Sequence, residues 1–438
     1  MKSNKYSKQQ LKKKQPKKNT KKYKRSKKYK EYLRRQRAKA ARIKARREKH
    51  RRVYFKKKTS KGFFMLFAIY LIKYVKLRKY LQNEISLKKH HNSRFGIADM
   101  IISLIGAIAL GLPRVYDICK YQEDRVLARA LRIDNKFPSY STIYRFLARF
   151  ALTIMIKELQ QVNTKILSEF RVFKNTESIA DVDTSTIRSY DNKKEGSEKG
   201  FNKLRPGKNC FQALSYFVNG FCVRSSIIGG KQVPIKAMVL QEHLLEVREF
   251  CGILKWVRMD SGFMSEELLR YLDSFVCEAG KNNKIKFIAN VKKNCTGAKE
   301  ALGNLRWKEW ETISRGILIQ DHRDVQIYQK YDKKHRIIVV KEYARAKDKW
   351  QYYTLITNEN EMSAHSLLKF YHKRQCIENF FDEAKNSYFI ENLPSHKLLG
   401  NSVYFNIICL TFNLLRIFRY DSLRKQDQNI QLKTLQKK

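Results

Sequence analysis

The sequence predicts a mixed α/β fold with a β-rich interruption, preceded by a helical region and a basic tail. Three patterns carry this. Strand-like and helix-like runs alternate between residues 178 and 291. A Val/Ile/Tyr-rich stretch then runs to about residue 360 before helices return. Upstream, residues 61 to about 170 space their apolar positions by three and four with little glycine.

In chain order, residues 1–60 come first. They hold 29 Lys/Arg against only Glu31 and Glu48, and from Lys2 to Lys30 they have almost no aliphatic residues. Such a segment cannot bury a core, so a largely disordered tail is expected, with a basic helix from Glu31 to about Arg52. Residues 61–172 read as a helical DNA-binding region. Within it, PSYSTIYRFLARF (138–150) offers Ser139 and Ser141 as caps and Ile143, Phe146, Leu147 and Phe150 as an apolar stripe. Arg145 and Arg149 are left on the surface as candidate DNA contacts. A short helix ending near Ile133 ahead of this one gives a helix-turn-helix pattern.

Residues 173–291 read as the first part of an α/β core. Strands are expected at Ser178–Asp183, Ala213–Val218, Cys222–Ile228, Leu254–Asp260 and Ile285–Val291, and helices at Leu240–Phe250 and Ser265–Cys277. Asn219-Gly220 marks a hairpin. Residues 292–360 read as a small antiparallel β insertion with a charged turn at Tyr331–Lys334. Residues 361–425 complete the core with helices at Met362–Lys385 and about Ser402–Tyr420.

Composition narrows the function. The chain of 438 residues has a net charge of +53 and 43% apolar residues, so it can build cores and calls for a polyanionic partner, most plainly nucleic acid. The eight cysteines form no C-x-x-C pair and sit near no paired histidines, which argues against zinc. With no secretory signal they fit a reducing cytosol. The apolar runs Phe63–Ile72, Met100–Leu112 and Val403–Phe418 are short or interrupted relative to the roughly 20 residues of a membrane span, so buried helices are expected.

Three carboxylates stand out. Asp181 and Asp183 share one face of the first strand, and Asp260 closes a later one; ligands of α/β sheets collect at such strand ends. The third lies in YHKRQCIENFFDEAK (371–385), where Tyr371, Arg374, Glu378 and Lys385 follow the pattern Y-x2-R-x3-E-x6-K. On one continuous helix all four fall within about 60°. One carboxylate among cations suits a metal ligand flanked by phosphate contacts, although a surface helix with an Arg–Glu pair has the same spacing.

The order of DVDTST, RMDSGF, a β-rich interruption and Y-x2-R-x3-E-x6-K resembles the DDE transposases of bacterial insertion sequences, in the branch carrying the YREK signature. The resemblance spans residues 95–420. It implies an RNase H-like catalytic domain, catalytic and metal-binding carboxylates at Asp183, Asp260 and Glu378, and phosphate contacts by Tyr371, Arg374 and Lys385. Asp181 rivals Asp183 for the first place; Asp183 is nearer the strand end. The resemblance further implies two Mg2+ ions, replaceable by Mn2+, and hydrolysis at the element's terminal repeats followed by joining of 3′-OH ends to target DNA. It implies a dimer in a synaptic complex, no membrane, and a cytoplasmic, nucleoid-associated location. Competing readings are a non-catalytic or domesticated nucleic-acid binder and a stand-alone nuclease. Residues 292–360 also hold Trp307, Trp310 and Trp350 among Lys308, Arg323, Lys347 and Lys349. In similar transposases an aromatic pocket in the insertion holds a flipped base, a role assigned here to Trp350, with core packing as the plainer alternative.

Overall fold

The computed structural model describes residues 62–436 except 174–176, 201, 203–204, 232–236, 279–282, 293, 304, 306–308 and 345–347. Glu31, Arg34 and Ala38 are also described, and all three are helical. The rest of the tail, most of the helix expected to Arg52, and Trp307, Lys308 and Lys347 lie outside the described residues.

The helical region comprises α1 (Gly62–Tyr70), α2 (Leu77–Glu84), α3 (Ile97–Ala109), α4 (Arg125–Ala130), α5 (Tyr140–Arg149) and α6 (Thr153–Glu169). Local chemistry sets these ends. The Asp124 carboxylate accepts from the Val126 and Leu127 amides at 3.1 and 3.0 Å, and Ser139 Oγ accepts from the Thr142 amide at 3.3 Å. Ile143, Phe146 and Leu147 of α5 are buried, while Arg145 and Arg149 face solvent. The connection between α4 and α5 spans residues 131–139, too long for the three- or four-residue turn of a helix-turn-helix.

The sheet then begins with β1 (Ser178–Arg188), β2 (Glu198–Lys199), β3 (Asn209–Val218) and β4 (Phe221–Gly229). Asn219 and Gly220 turn the β3–β4 hairpin with φ of 51° and 81°, the left-handed pair that this dipeptide favours. After α7 (Ala237–Cys251), β5 (Leu254–Met259) lies parallel to β1; after α8 (Glu266–Ser274), β6 (Lys286–Val291) lies parallel to β5. The order β4-β3-β1-β5-β6, with β3 antiparallel to β1 and β4, is the RNase H-like mixed sheet that the resemblance implies.

Following α9 (Thr296–Gly303) come β7 (Glu311–Ser314), β8 (Ile317–Tyr328), β9 (Tyr331–Ala344) and β10 (Lys349–Thr357). They are antiparallel, as expected, but they do not stand apart. β10 pairs with β6, Thr354 opposite Val291, and the sheet continues through β9, β8 and β7. Backbone groups at the β6 edge are thereby paired rather than exposed. Two further corrections concern this stretch. The apolar runs Gly316–Gln320 and Val325–Tyr331, which read in the sequence as separate strands, instead contribute Ile317–Gln320 and Val325–Tyr328 to the single strand β8, with a register shift near Asp324, whose φ is 55°. Tyr331–Lys334, expected as a turn, opens β9 instead, and the chain reverses at Gln329-Lys330.

Helices α10 (Ala364–His372) and α11 (Gln375–Asn386) cover one face of the sheet, and α12 (Leu398–Ser422) lies against β4 and α6; a short α13 (Leu432–Leu435) ends the described chain. At 25 residues α12 is longer than expected, and by length and composition alone it could cross a membrane; 89% of its most apolar window is buried inside the protein. Its asparagines show what it is fitted to. Asn413 accepts from the Cys222 amide at 3.0 Å and donates to the Cys222 carbonyl at 2.6 Å, while Asn406 donates to the Ser225 carbonyl at 3.1 Å. These bonds satisfy polar groups in the core and fix α12 on β4.

Candidate active site

The site grows from two neighbouring strands. Val182 of β1 pairs with Met259 of β5, so the residues that follow, Asp183 and Asp260, stand side by side where the parallel pairing stops; β5 ends there, whereas β1, expected to end at Asp183, runs on to Arg188 against β3. Adjacent strands are about 4.8 Å apart, which brings the two carboxylates into one electrostatic neighbourhood. Each is held at its base, the Thr184 amide donating to Asp183 Oδ1 at 2.8 Å and the Ser261 amide to Asp260 Oδ1 at 2.7 Å.

One rung lower, Asp181 pairs with Arg258. Its side chain is buried, and Arg258 grips it bidentately, Nε to Oδ1 at 2.6 Å and Nη2 to Oδ2 at 2.8 Å. The Cys376 thiol donates to Oδ2 as well, at 3.3 Å. Asp181 thus has its lone pairs engaged and no opening to solvent, whereas the Asp183 side chain is 14% exposed. Arg258 also donates to the Phe370 carbonyl at 2.6 Å, so this pair docks α10 onto the sheet. Sequence reasoning missed Arg258. The available signal was the matching period of two in DVD and RMD, which places Arg258 under Asp260 as Asp181 lies under Asp183.

The signature residues arrive from α10 and α11. They do not sit on one continuous helix. The helix breaks at Lys373-Arg374, where the Arg374 amide donates to the Tyr371 carbonyl at 3.0 Å and the Ile377 amide to the Arg374 carbonyl at 3.1 Å. These tighter i→i−3 bonds replace the α-helical ladder and shift the axis, with Arg374 at the junction. Its guanidinium reaches both ways: Nη1 lies 2.9 Å from Asp183 Oδ2, out of line for a hydrogen bond, and Nη2 donates to Glu378 Oε1 at 3.0 Å. Glu378, in the first turn of α11, keeps 54% of its side chain exposed.

Burial pushes the Asp183 pKa above the ordinary aspartate value, more than Arg374 and the Thr184 amide pull it down, and Asp260 adds to the rise. Burial opposes the Arg374 charge, but Asp183 and its other anionic neighbours more than restore it, raising that pKa. The carboxylate pair is therefore short of positive charge, and Arg374 supplies part of it. The donor set fits Mg2+, which takes hard carboxylate oxygens. Among the described residues, no three His, Cys, Asp or Glu side chains converge at metal-binding distance, because Arg374 stands between Asp183 and Glu378.

The remaining candidates fall in three places. Tyr371 is buried with Trp256, Ile288 and Leu355 under α10, its hydroxyl pKa raised by burial. Lys385 lies at the far end of α11, where burial lowers its pKa against the attraction of Glu391 and Asp382. Trp350 is 42% exposed on β10, 5.4 Å from the Tyr343 ring and with Lys341 Nζ 4.9 Å from its ring centre. It lies toward the same end of the sheet as the carboxylates. Through the pairings of β10 with β6 and β6 with β5, Leu355 is level with Asp183, and Trp350 is an odd number of positions, five, from Leu355 along the alternating strand. Trp350 therefore stands on the opposite face.

Asp183 and Asp260 side by side on neighbouring strands, an arginine and a glutamate from a covering helix, and a strongly basic chain are features that phosphodiester chemistry would call for in an α/β protein. The chain belongs to the family transposase DDE domain group 1, whose profile matches residues 46–438. The match begins within the basic segment, upstream of the region the motifs alone delimit. Among solved structures the chain is similar to the piggyBac transposase in a synaptic complex with hairpin DNA, at 14% identity and a TM-score of 0.42, over 85% of this chain and 79% of that one. No curated protein matches.

Proposed function

We propose that the chain is a cut-and-paste transposase of the YREK branch, of bacterial insertion-sequence type, acting at its own element's ends as a synaptic dimer. The observation carrying this reading is the meeting of Asp183 and Asp260 on adjacent strands, with Arg374 linking Asp183 to Glu378. Asp183, Asp260 and Glu378 are the residues that would hold Mg2+ or Mn2+. When bound, such ions ease ionisation of the attacking water or 3′-OH and stabilise the charge that develops on the phosphate. Asp183 takes the first place because Asp181 is committed to Arg258. Arg374 orders the carboxylates and carries a fork suited to a bridging phosphate; Lys385 offers a point charge farther along the strand. Tyr371 supports this set from beneath, its ring 5.7 Å from the Arg374 guanidinium carbon.

The test is a gel assay of the purified full chain with DNA carrying one end of its element, in Mg2+ and in EDTA. Cleavage only in Mg2+ is expected. Asp183→Asn, Asp260→Asn and Glu378→Gln should each abolish it while end binding, read by mobility shift, persists. Metal-dependent cutting by all three variants would remove these residues from catalysis. Specific end binding by a wild-type chain that never cuts would instead favour the non-catalytic reading.

A further inference from the structure

A cleft of about 850 Å³ lies between the helical region and the catalytic sheet, on the α5 side. Among apolar and polar residues its lining holds cations and aromatics: Arg114 and Tyr144 from the helical region, Arg188 and Tyr190 at the end of β1, and Lys194 and Lys397 from the loops behind. Two acids, Glu391 and Asp191, also line it. Glu391 is held by Arg188 at 2.7 Å, and Asp191 lies 3.6 Å from His396. Lys194 Nζ donates to the Leu393 carbonyl at 2.5 Å, and Asn392 bonds the Pro113 carbonyl at 2.9 Å, which ties the two walls together.

The tyrosines are placed as no core residues would be. Tyr190 is 66% exposed, with Arg205 5.7 Å from its ring centre. Outside the lining itself, Tyr116, next in sequence to Val115 of the cleft, and Tyr140 are 53% and 38% exposed with ring centres 4.8 Å apart, and the Tyr140 ring is 6.2 Å from that of Tyr144, which lines the cleft. A duplex offers such rings no free base face, since its bases are stacked on one another. Phosphates alone would need only the cations. Exposed aromatics interleaved with positive charge are what unpaired nucleotides use, the rings stacking on bases while cations track the backbone.

We propose that this cleft binds single-stranded DNA, with Tyr116, Tyr140 and Tyr190 as stacking platforms. Arg188 in its lining is five residues along β1 from Asp183, about 17 Å by strand rise, so a strand unpaired near the carboxylates can reach it. The inference rests on the cleft itself and not on the chain's capacity to cleave.

The test is fluorescence anisotropy of the full chain with labelled oligothymidine of about 16 nucleotides, the upper site size for one such groove, in EDTA so that cleavage plays no part. Excess unlabelled duplex occupies general phosphate sites, including those of the basic tail. Wild-type binding should survive the competitor. Tyr116→Ala, Tyr140→Ala and Tyr190→Ala should each weaken it on the order of tenfold without changing its salt slope, and the Phe variants should restore it. The proposal is overturned if duplex strips the oligonucleotide from the wild type, or if the alanine variants bind it normally. Equal loss of duplex and single-strand binding in both the Ala and Phe variants also overturns it.

Discussion

Asp181 and Asp183 are two residues apart on one strand and perform different physical work. Asp181 is enclosed with Arg258, and removing one partner of a buried charge pair strands the other. Asp181→Ala should therefore cost about 3–5 kcal/mol in urea unfolding. Asp183→Asn should behave in the opposite way. Because burial raises the Asp183 pKa, the native fold prefers the protonated form, so the wild type loses stability as pH climbs above the ordinary aspartate value of 3.8. The asparagine variant lacks that loss. It should be at least as stable as the wild type at pH 7, with the advantage fading in acid, as followed by melting temperature against pH. Arg374 makes a third case. Its fork spans Asp183 and Glu378, which a single ammonium cannot do at once, so Arg374→Lys should lower cleavage on the order of 10²-fold while leaving end binding nearly intact.

Among elements, the β8–β9 hairpin is fastened to α8 by one carboxylate. Asp273 is buried and takes the Tyr331 hydroxyl at 2.7 Å, His335 Nε2 at 2.8 Å and Lys333 Nζ at 2.6 Å. Burial by itself would raise the Asp273 pKa, but these three donors outweigh it and leave the pKa below 3.8. Its contribution is then fully present above that value and is lost as pH falls through the lowered one. Asp273→Ala should destabilise the chain by about 3 kcal/mol at pH 7, and the gap from wild type should close in strong acid. Trp350 belongs to the same extension. If it receives a flipped base, Trp350→Ala should nick the first strand and stall before the double-strand break, with its melting temperature little changed. A large fall in melting temperature with general loss of activity would favour a packing role.

For the molecule as a whole, charge is distributed in two blocks. Residues 1–60 carry 29 Lys/Arg and two acids, and the other 378 residues carry 64 and 38. Phosphate binding by the first block is sequence-independent, so deleting residues 1–58 should weaken non-specific duplex binding and flatten the slope of log affinity against log salt. The slope changes by about 0.9 for each lost phosphate contact. Specific end recognition should survive, because base readout belongs to ordered elements. An unchanged slope would mean that the tail does not touch DNA. Because the family match begins at residue 46, a second deletion stopping at residue 45 separates the tail proper from the start of the family region.

Short-range information was enough for much of this. Apolar period located most helices and strands, Asn219-Gly220 located the hairpin, and the end of β5 located Asp260, whereas β1 runs on past Asp183 to Arg188. Spacing brought Arg374 to Glu378, since an i, i+4 pair survives even a break in the helix axis just before it. What needed the tertiary structure was everything set by a neighbour distant in sequence. Register against β5 gave Asp181 its Arg258 and left Asp183 free of it. Pairing with β6 drew β10, and β9 to β7 after it, into the same sheet as β1 and β5. The asparagines of α12, which interrupt an apolar run when read alone, became satisfied polar groups only against β4 and α6. The helix break at Lys373-Arg374 was invisible for the same reason: periodicity records which residues prefer burial, while the pull of two carboxylates on one guanidinium exists only once the strands that carry them lie nearby.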